Sequence, residues 1–525
     1  MPPMLQPEAD LKRDVSHASD VKGDAGDVES VNAEVADNAA AGYVDPTLVI
    51  SEEENTRLRR RVHRRILPLL TLAYLCQALD KGTTATSSIM GWLQDINAKG
   101  QDYALTSTFM WIGIIVGEPL ANQAVRRLPV AKVLSVGIVI WSVLLIGIAF
   151  SLSVPPVFAI RFLLGFFESI IGPCLLTLTV QWYLAPEQPL VQAVWQCMVG
   201  ANTIISGILG YAFYHVKDHA GLKGWQWMHI AIAAVSFISA IVIFIYLPDS
   251  PTQARWASEE EKVKLVERVR ANNQGLKQKK FKKEQVYEAF TDPYSLCLFF
   301  LPFFQTLVIG GVNKFNNLLL NQAFHFDVLQ SQLLNIPLGT LTVSARAERP
   351  AHAQVTGYFV ISWFIRRYNQ TLYTMIAFTI PNIIATIVII IVAPSDKTKG
   401  GLVVALYMLQ IFQANNPAIF LMLSRNSAGQ TKKSVTYAIT YMGWAGGNAV
   451  SPQLFQARWA PRYLHSLHIH LALYGSFILL CLGTRWLLVH RNQKKIAAQG
   501  PDGPKNERAF DDLTDIQNPD FRYCV

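Results

Sequence analysis

The sequence predicts an all-α, polytopic membrane protein with twelve transmembrane helices in two six-helix bundles. Three observations predict it. Of 525 residues, 51% are hydrophobic and only 16% charged, which is too apolar for a string of soluble domains. The apolar residues gather in two blocks, 66–247 and 293–489, each with room for about six spans of about 20 residues. The polar residues fall outside these blocks. The divisions are therefore an N-terminal tail (1–65), an N-terminal bundle (66–247), a central loop (248–292), a C-terminal bundle (293–489) and a C-terminal tail (490–525).

In the first block, apolar runs bounded by polar turns place spans near 66–90, 104–125, 130–152, 155–184, 191–214 and 227–247,. In the second they lie near 293–320, 328–364, 371–393, 401–424, 434–455 and 468–489. Only the eighth is irregular. SARAERPAHAQ at 344–354 brings Arg346, Glu348 and Arg349 into what should be a continuous apolar helix, at a cost of several kcal/mol if they face lipid. It reads as an insertion.

Loop cations set the orientation. Arg57 to Arg65, Arg126, Arg127, Lys132, the central loop, Arg366, Arg367, Lys432, Lys433 and Arg491 to Lys495 all fall on one side. The opposite loops hold scattered cations such as Lys99, Lys217, Lys223, Lys397 and Arg458. Both termini and both tails are therefore expected in the cytoplasm, where the Asn369-Gln370-Thr371 sequon would go unused. The N-terminus has no apolar core to act as a cleaved signal, so the first span must direct its own insertion. Residues 1–50 and 497–525 are poor in aromatic and β-branched residues, apart from the last few positions, and are expected to be disordered,. In the central loop, Ser258 and Glu261 fit a capping box before a charged amphipathic helix, read as a solvated linker. The net charge of +9 sits at span edges, which argues against nucleic-acid binding. The six cysteines are scattered without metal or disulfide spacing,.

An ionisable group inside a span is costly and marks a functional candidate until a structural partner is found. The candidates are Asp80 and Lys81 in span one, Glu118 in span two, Arg161 and Glu168 in span four, and Lys314 in span seven. Asp80 and Lys81 are adjacent, so their side chains diverge by about 100° and each needs its own partner or a polar cavity. Lys81 could attract an anion and Asp80 could carry a proton. Arg161 and Glu168 are seven apart, on one helical face about 10 Å from each other along the axis, too far to touch. Such a stripe suits the lining of a polar interior, with Gly172 and Pro173 allowing a bend below it. Lys314 follows Gly310-Gly311 and precedes Asn316 and Asn317. Gln413, Asn415 and Asn416 interrupt span ten before Pro417, and Asn448 lies among the glycines of span eleven. Interrupted segments in matching places of two halves point to a binding site at mid-membrane, although ordinary polar helix packing produces similar amides.

A channel should show a filter loop or charged rings, an ATP-driven pump a P-loop, and a membrane enzyme a nucleophile, base and metal constellation. None is evident here, and the histidines, including His63 and His229, are dispersed. The remaining class is a secondary transporter, not an enzyme, with no cofactor. Its partners would be a small organic substrate, protons and the lipid bilayer, with the chain acting as a monomer.

LDKGTTATSSIMGWLQDINAKGQDYALTSTFMWIG, RRLPVAKVLSVGIVIWSV, IRFLLGFFESIIGP, QWYLAPEQPLVQAVW and LPDSPTQARWASEEEKVKLVERVRANNQG resemble a known family, as do NKFNNLLL, LLNIPLG, SAGQTKKSVTYA and DLTDIQNPDFRY. It is the fungal anion:cation symporter branch of the major facilitator superfamily, and within it the allantoate permease group. The resemblance implies two six-helix bundles rocking about a central cavity, with protons carried alongside an organic anion: allantoate, ureidosuccinate or a short peptide in the nearest group, nicotinate, pantothenate or biotin in the wider branch. A nutrient sensor that binds without net flux is the competing class. The Asp80-Lys81 pair and Arg161 with Glu168 match the family's motifs in spans one and four. The site reading is therefore Lys81, Arg161, Lys314, Asn316, Gln413, Asn415 and Asn448 for the anion, and Asp80 and Glu168 for the proton. In this scheme an anion on Arg161 weakens that cation's pull on Glu168. Two departures stand out. ANQAVRRLPVAK lacks the acidic residue of the general superfamily loop signature, and relatives run from LLNIPLG directly into GYF. The inserted stretch starts Val343-Ser344 and ends Gln354, which GTGAGT and CAG would encode, so a retained intron explains it. Transcript sequencing tests that reading.

Overall fold

The computed structural model describes residues 50–184, 187–216, 220–270, 282–338, 357–368, 370–499 and 513–525. Helix α1, Glu52–Arg65, opens with Ser51 Oγ accepting from Glu54 N at 3.3 Å. Acids in its first turn and cations in its last complement the helix dipole,. After Ile66 the chain enters α2, Leu67–Ser88, the first span. Spans two and three are α3, Asp102–Arg127, and α4, Val130–Ala149. Span four is divided into α5, Val154–Glu168, and α6, Ile171–Trp182, with the break next to the expected Gly172-Pro173 bend. Span five comprises α7, Gln188–Gln196, and α8, Met198–Tyr214, and span six is α9, Gly224–Tyr246.

The central loop carries α10, Glu259–Arg270, and α11, Lys283–Thr291. Span seven is α12, Pro293–Leu318, which widens into a π-helical turn at Leu319–Ala323. Next come α13, Val328–Leu333, and α14, Gly357–Tyr368. The expected insertion at 344–354, Asn369 of the sequon and the N-terminal tail before residue 50 lie outside the described residues. Span nine is α15, Thr371–Ile391. Span ten breaks as its QANNP run suggested: α16, Lys399–Met408, gives way to a 3-10 segment, Leu409–Ala414, and then α17, Asn415–Asn426. The last two spans are α18, Gln430–Val450, and α19, Leu464–Gln499.

Among the described residues, nine helices are long and apolar enough to cross a membrane. The expected spans outside that nine are one, eight and eleven. Gln77, Asp80 and Lys81 dilute α2, Lys432, Lys433 and several threonines dilute α18, and undescribed residues divide the eighth.

Each half has its own apolar core. One runs from Leu58 through Trp141 and Trp182 to Leu265, the other from Tyr294 through Phe412 to Tyr523. A third cluster joins the halves at one end, where Trp92, Tyr103 and Trp225 of the first meet Phe315, Phe455 and Tyr463 of the second. The closest helix crossings have no room for a side chain. A Cβ on Gly165 of α5 would strike the Met110 carbonyl oxygen of α3, and one on Gly443 of α18 would strike that of Phe299 in α12,.

The basic loops gather at the other end. The capping box of α10 is present, with Ser258 N and Glu261 N each donating to the other's side chain at 3.3 Å. This helix is more than a solvated linker, however. Glu261 pairs with Arg61, Lys264 with Glu54, and buried Arg268 with Glu187 and with Asn55 Oδ1 at 2.7 Å. The C-terminal segment also departs from expectation. Instead of lying free, 513–525 packs on the second half. Buried Lys432 Nζ stands 2.9, 2.8 and 2.7 Å from Glu288, Asp292 and Asp515, Tyr523 OH donates to Asp515 at 2.8 Å, and Cys524 N donates to Asn426 at 2.7 Å. Composition along the whole tail hides this, because a few charged and aromatic residues supply the contacts.

Candidate functional site

Between the halves, below the shared apolar cluster, lies a cavity of about 290 Å³. Its wall comes from α2, α3, α5 and α8 on one side and from α12, the segment after α13, the 3-10 segment of span ten and α18 on the other. Lys81, Arg161, Lys314, Asn316, Gln413 and Asn448 all line it. Asn415 does not: it is fully buried in α17, off the wall, with neither amide atom hydrogen-bonded among the described residues. Asp80 and Glu168 stand behind the wall, each against one of its cations.

The four charges of spans one and four are cross-paired. Lys81 Nζ reaches Glu168 Oε1 at 2.5 Å, and Gln77 Nε2 donates to the same oxygen at 2.7 Å. Arg161, 1% exposed, turns to Asp80 Oδ1 at 3.7 Å and donates to Thr84 Oγ1. At that separation the second pair attract without a hydrogen bond. Arg161 Nε and Asp80 Oδ1 accordingly have no hydrogen-bond partner among the described residues. The divergence of Asp80 and Lys81 on α2 thus matches the two-turn spacing of Arg161 and Glu168 on α5, but the carboxylate partner of Arg161 is Asp80 rather than Glu168.

Lys314 differs. Its Nζ donates to Thr106 Oγ1 at 3.0 Å and lies 4.2 Å from the centroid of the Tyr103 ring, and no carboxylate stands within ion-pair distance among the described residues. Tyr103 OH donates to the Lys314 carbonyl at 2.7 Å, fixing the helix that carries it. Beside it, Asn316 Nδ2 donates to Asn335 at 3.0 Å and Asn335 Nδ2 to Asn317 at 2.9 Å. Asn316 Oδ1 has no hydrogen-bond partner among the described residues.

Nine carboxamides line the cavity: Gln77, Asn202, Asn313, Asn316, Asn317, Asn335, Gln410, Gln413 and Asn448. The sequence reading missed Gln77, Asn202, Asn313, Asn335 and Gln410. Gln410 was within reach, since it stands three residues before Gln413 and so on the same side of a helix. Asn202 and Asn335 sit among apolar neighbours like any packing amide. Glu118 is not on the wall; half-buried on α3, it contacts Asn122 Nδ2 at 3.4 Å.

Residues 70–452 match the model of the Major Facilitator Superfamily. The chain belongs to that superfamily. Its relatives include an uncharacterized transporter of Schizosaccharomyces pombe, 29% identical over 504 residues, covering 96% of this chain and 95% of that one. The allantoate permease of Saccharomyces cerevisiae is 27% identical over 491 residues, covering 91% of this chain and 88% of that one. Among solved structures, the D-xylose-proton symporter aligns at a TM-score of 0.58 and 12% identity, over 80% of this chain and 96% of that one, and so shares the fold. As a member of this superfamily the chain is a multi-pass secondary transporter of a small molecule and not an enzyme.

Proposed function

We propose that this transporter takes up a small organic anion together with protons, allantoate or a related ureido carboxylate, by alternating access. The observation that carries the reading is Lys314: a cation on the cavity wall with no carboxylate to neutralise it among the described residues, next to a wall of carboxamides. A carboxylate offsets part of its desolvation by a charge-assisted bond to that ammonium. A ureido group presents N–H donors and carbonyl acceptors in alternation, and carboxamides answer both. Similarity to the allantoate permease supports the same class. A vitamin-type carboxylate would use Lys314 equally but leave more of the amides without partners.

Arg161 and Lys81 then act as secondary anion contacts, each held by a carboxylate until substrate competes for it. Glu168 carries the proton. An anion drawing Lys81 away from Glu168 leaves a buried carboxylate without its cation, and proton uptake restores neutrality. The tails and the central loop lie in the cytoplasm, the membrane is the plasma membrane, and one chain suffices.

The deciding experiment is radiolabel uptake into a permease-deficient fungal strain, across ureides and vitamin carboxylates, with and without an uncoupler. Accumulation of a ureide that collapses with the uncoupler is the expected result. No uptake of any anion would sink the symporter reading in favour of a non-transporting sensor.

A further inference from the structure

Helix α1 is anchored on one face and charged on the other. Leu58 and Val62 are buried, and Arg61, Glu54 and Asn55 tie the helix to α10. This fixes what looks outward. Arg57, Arg60 and Arg64 recur at helical spacing as one exposed stripe, flanked by exposed Arg59 and Arg65,. None of the five has a carboxylate partner among the described residues, although Arg61 beside them does. The exposed acids of α1 itself, Glu52 and Glu53, are in its first turn, at the far end of the helix.

The stripe leads into an apolar groove. Ile66 N donates to Val62 O at 2.8 Å and Leu70 N to Ile66 O at 3.1 Å, so the helical path continues from α1 into α2. Along that path Arg60, Arg64, Pro68 and Leu72 follow at four-residue spacing. Leu67, Pro68, Thr71, Leu72 and Leu75, with His63, line an open groove on the surface of the first span. Charge that only orients a span needs no particular cation. Apart from His63, every basic residue of α1 is arginine, whose planar fork grips two phosphate oxygens at once where an ammonium offers a point charge.

We propose that α1 and the start of α2 form a binding site for an acidic phospholipid of the adjoining leaflet. Arg60 and Arg64 hold its phosphate and acidic headgroup, and one acyl chain occupies the groove between His63 and Leu75. A neutral lipid would fill the groove but leave the arginine stripe without countercharge. A free phosphate would do the reverse.

The test is native mass spectrometry of the full chain in micelles doped with equal amounts of dioleoylphosphatidylserine and dioleoylphosphatidylcholine. Wild type should retain the serine lipid in clear preference, and R60Q/R64Q should lower that preference roughly twenty-five-fold, at about fivefold per charge. R60K/R64K keeps the charge and should lose only part. Leu72→Trp fills the groove and should reduce retention of both lipids, whereas Lys397→Gln, an exposed cation at the other end, should change neither. Excess glycerophosphoserine, the headgroup without chains, should fail to displace the lipid. Equal retention of the two lipids by wild type, or a preference that survives R60Q/R64Q, overturns the proposal. Displacement by glycerophosphoserine would make this a free-anion site and overturn the lipid assignment.

Discussion

Lys81 Nζ lies 2.5 Å from Glu168 Oε1, whereas Arg161, on the same helical face as Glu168, turns away to Asp80. The carboxylate proposed to carry the proton is therefore gated by a lysine on the cavity wall. Glu168→Gln, a permanent mimic of the protonated state, is expected to abolish uphill accumulation yet still exchange internal for external substrate. Asp80→Asn is the comparison. If Glu168→Gln accumulates substrate against a gradient and Asp80→Asn does not, the carrier is Asp80.

Arg161 spends its guanidinium on two neighbours of α2, Asp80 and Thr84. A lysine ammonium is a compact point charge on a flexible stem and does not reproduce the planar fork that faces both neighbours. Arg161→Lys should thus cut uptake at least about tenfold, the loss expected from a single buried charge-assisted bond of roughly 1.5–3 kcal/mol. Uptake kinetics at matched surface expression measure it, and normal transport would assign Arg161 a structural role only.

Lys314→Gln removes the cation that no carboxylate among the described residues neutralises. Its effect should appear in the apparent substrate affinity, weakened by roughly tenfold to a hundredfold. The fold should survive, because no buried acid is orphaned. An unchanged half-saturation concentration across the ureide panel would exclude Lys314 as the anchor.

Gly165→Val and Gly443→Val each drive a side chain into a facing carbonyl, one in each half. Overpacking of this kind costs about 1–3 kcal/mol or more. Both variants should lower the melting temperature of the purified protein. Gly400→Val, which meets nothing within 4 Å, should not.

The C-terminal clasp has a defined pH window. Burial acts to raise the Asp292 pKa, but the hydrogen bonds and charges of Arg491 and Lys432 outweigh it and hold the carboxyl below its ordinary value. A carboxyl depressed on folding contributes stability that is fully present above its unfolded value, about 4, and is lost as pH falls through the folded one. Hydrogen exchange in 513–525 should stay protected at neutral pH and open below about pH 4. In Asp292→Asn that acid transition should weaken.

Much of the fold was legible because span length and apolarity are properties of single segments. The break in span ten was visible in its amides and proline, and the bend in span four in Gly172 and Pro173. The partners were not legible. Spacing on α5 put Arg161 and Glu168 on one face, but only the register between α2 and α5 decides which acid each cation meets. The single-residue step from Asp80 to Lys81 exchanges them. The tail 513–525 was obscured for a similar reason: Asp515 looks like any solvated acid until Lys432, distant in sequence, stands against it.

The two helices of the central loop belong to different bodies. α10 is bonded to α1 and to Glu187, and contributes Leu265 to the first core. α11 presents Glu288 to Lys432, and its Gln285 side chain accepts from Thr431 N at 3.1 Å. A cut between Arg270 and Lys282 would therefore yield two polypeptides, each with its own lid already in place. Co-expressed as separate genes, the fragments should reassemble and transport, whereas cuts that move α10 to the second fragment or α11 to the first should not.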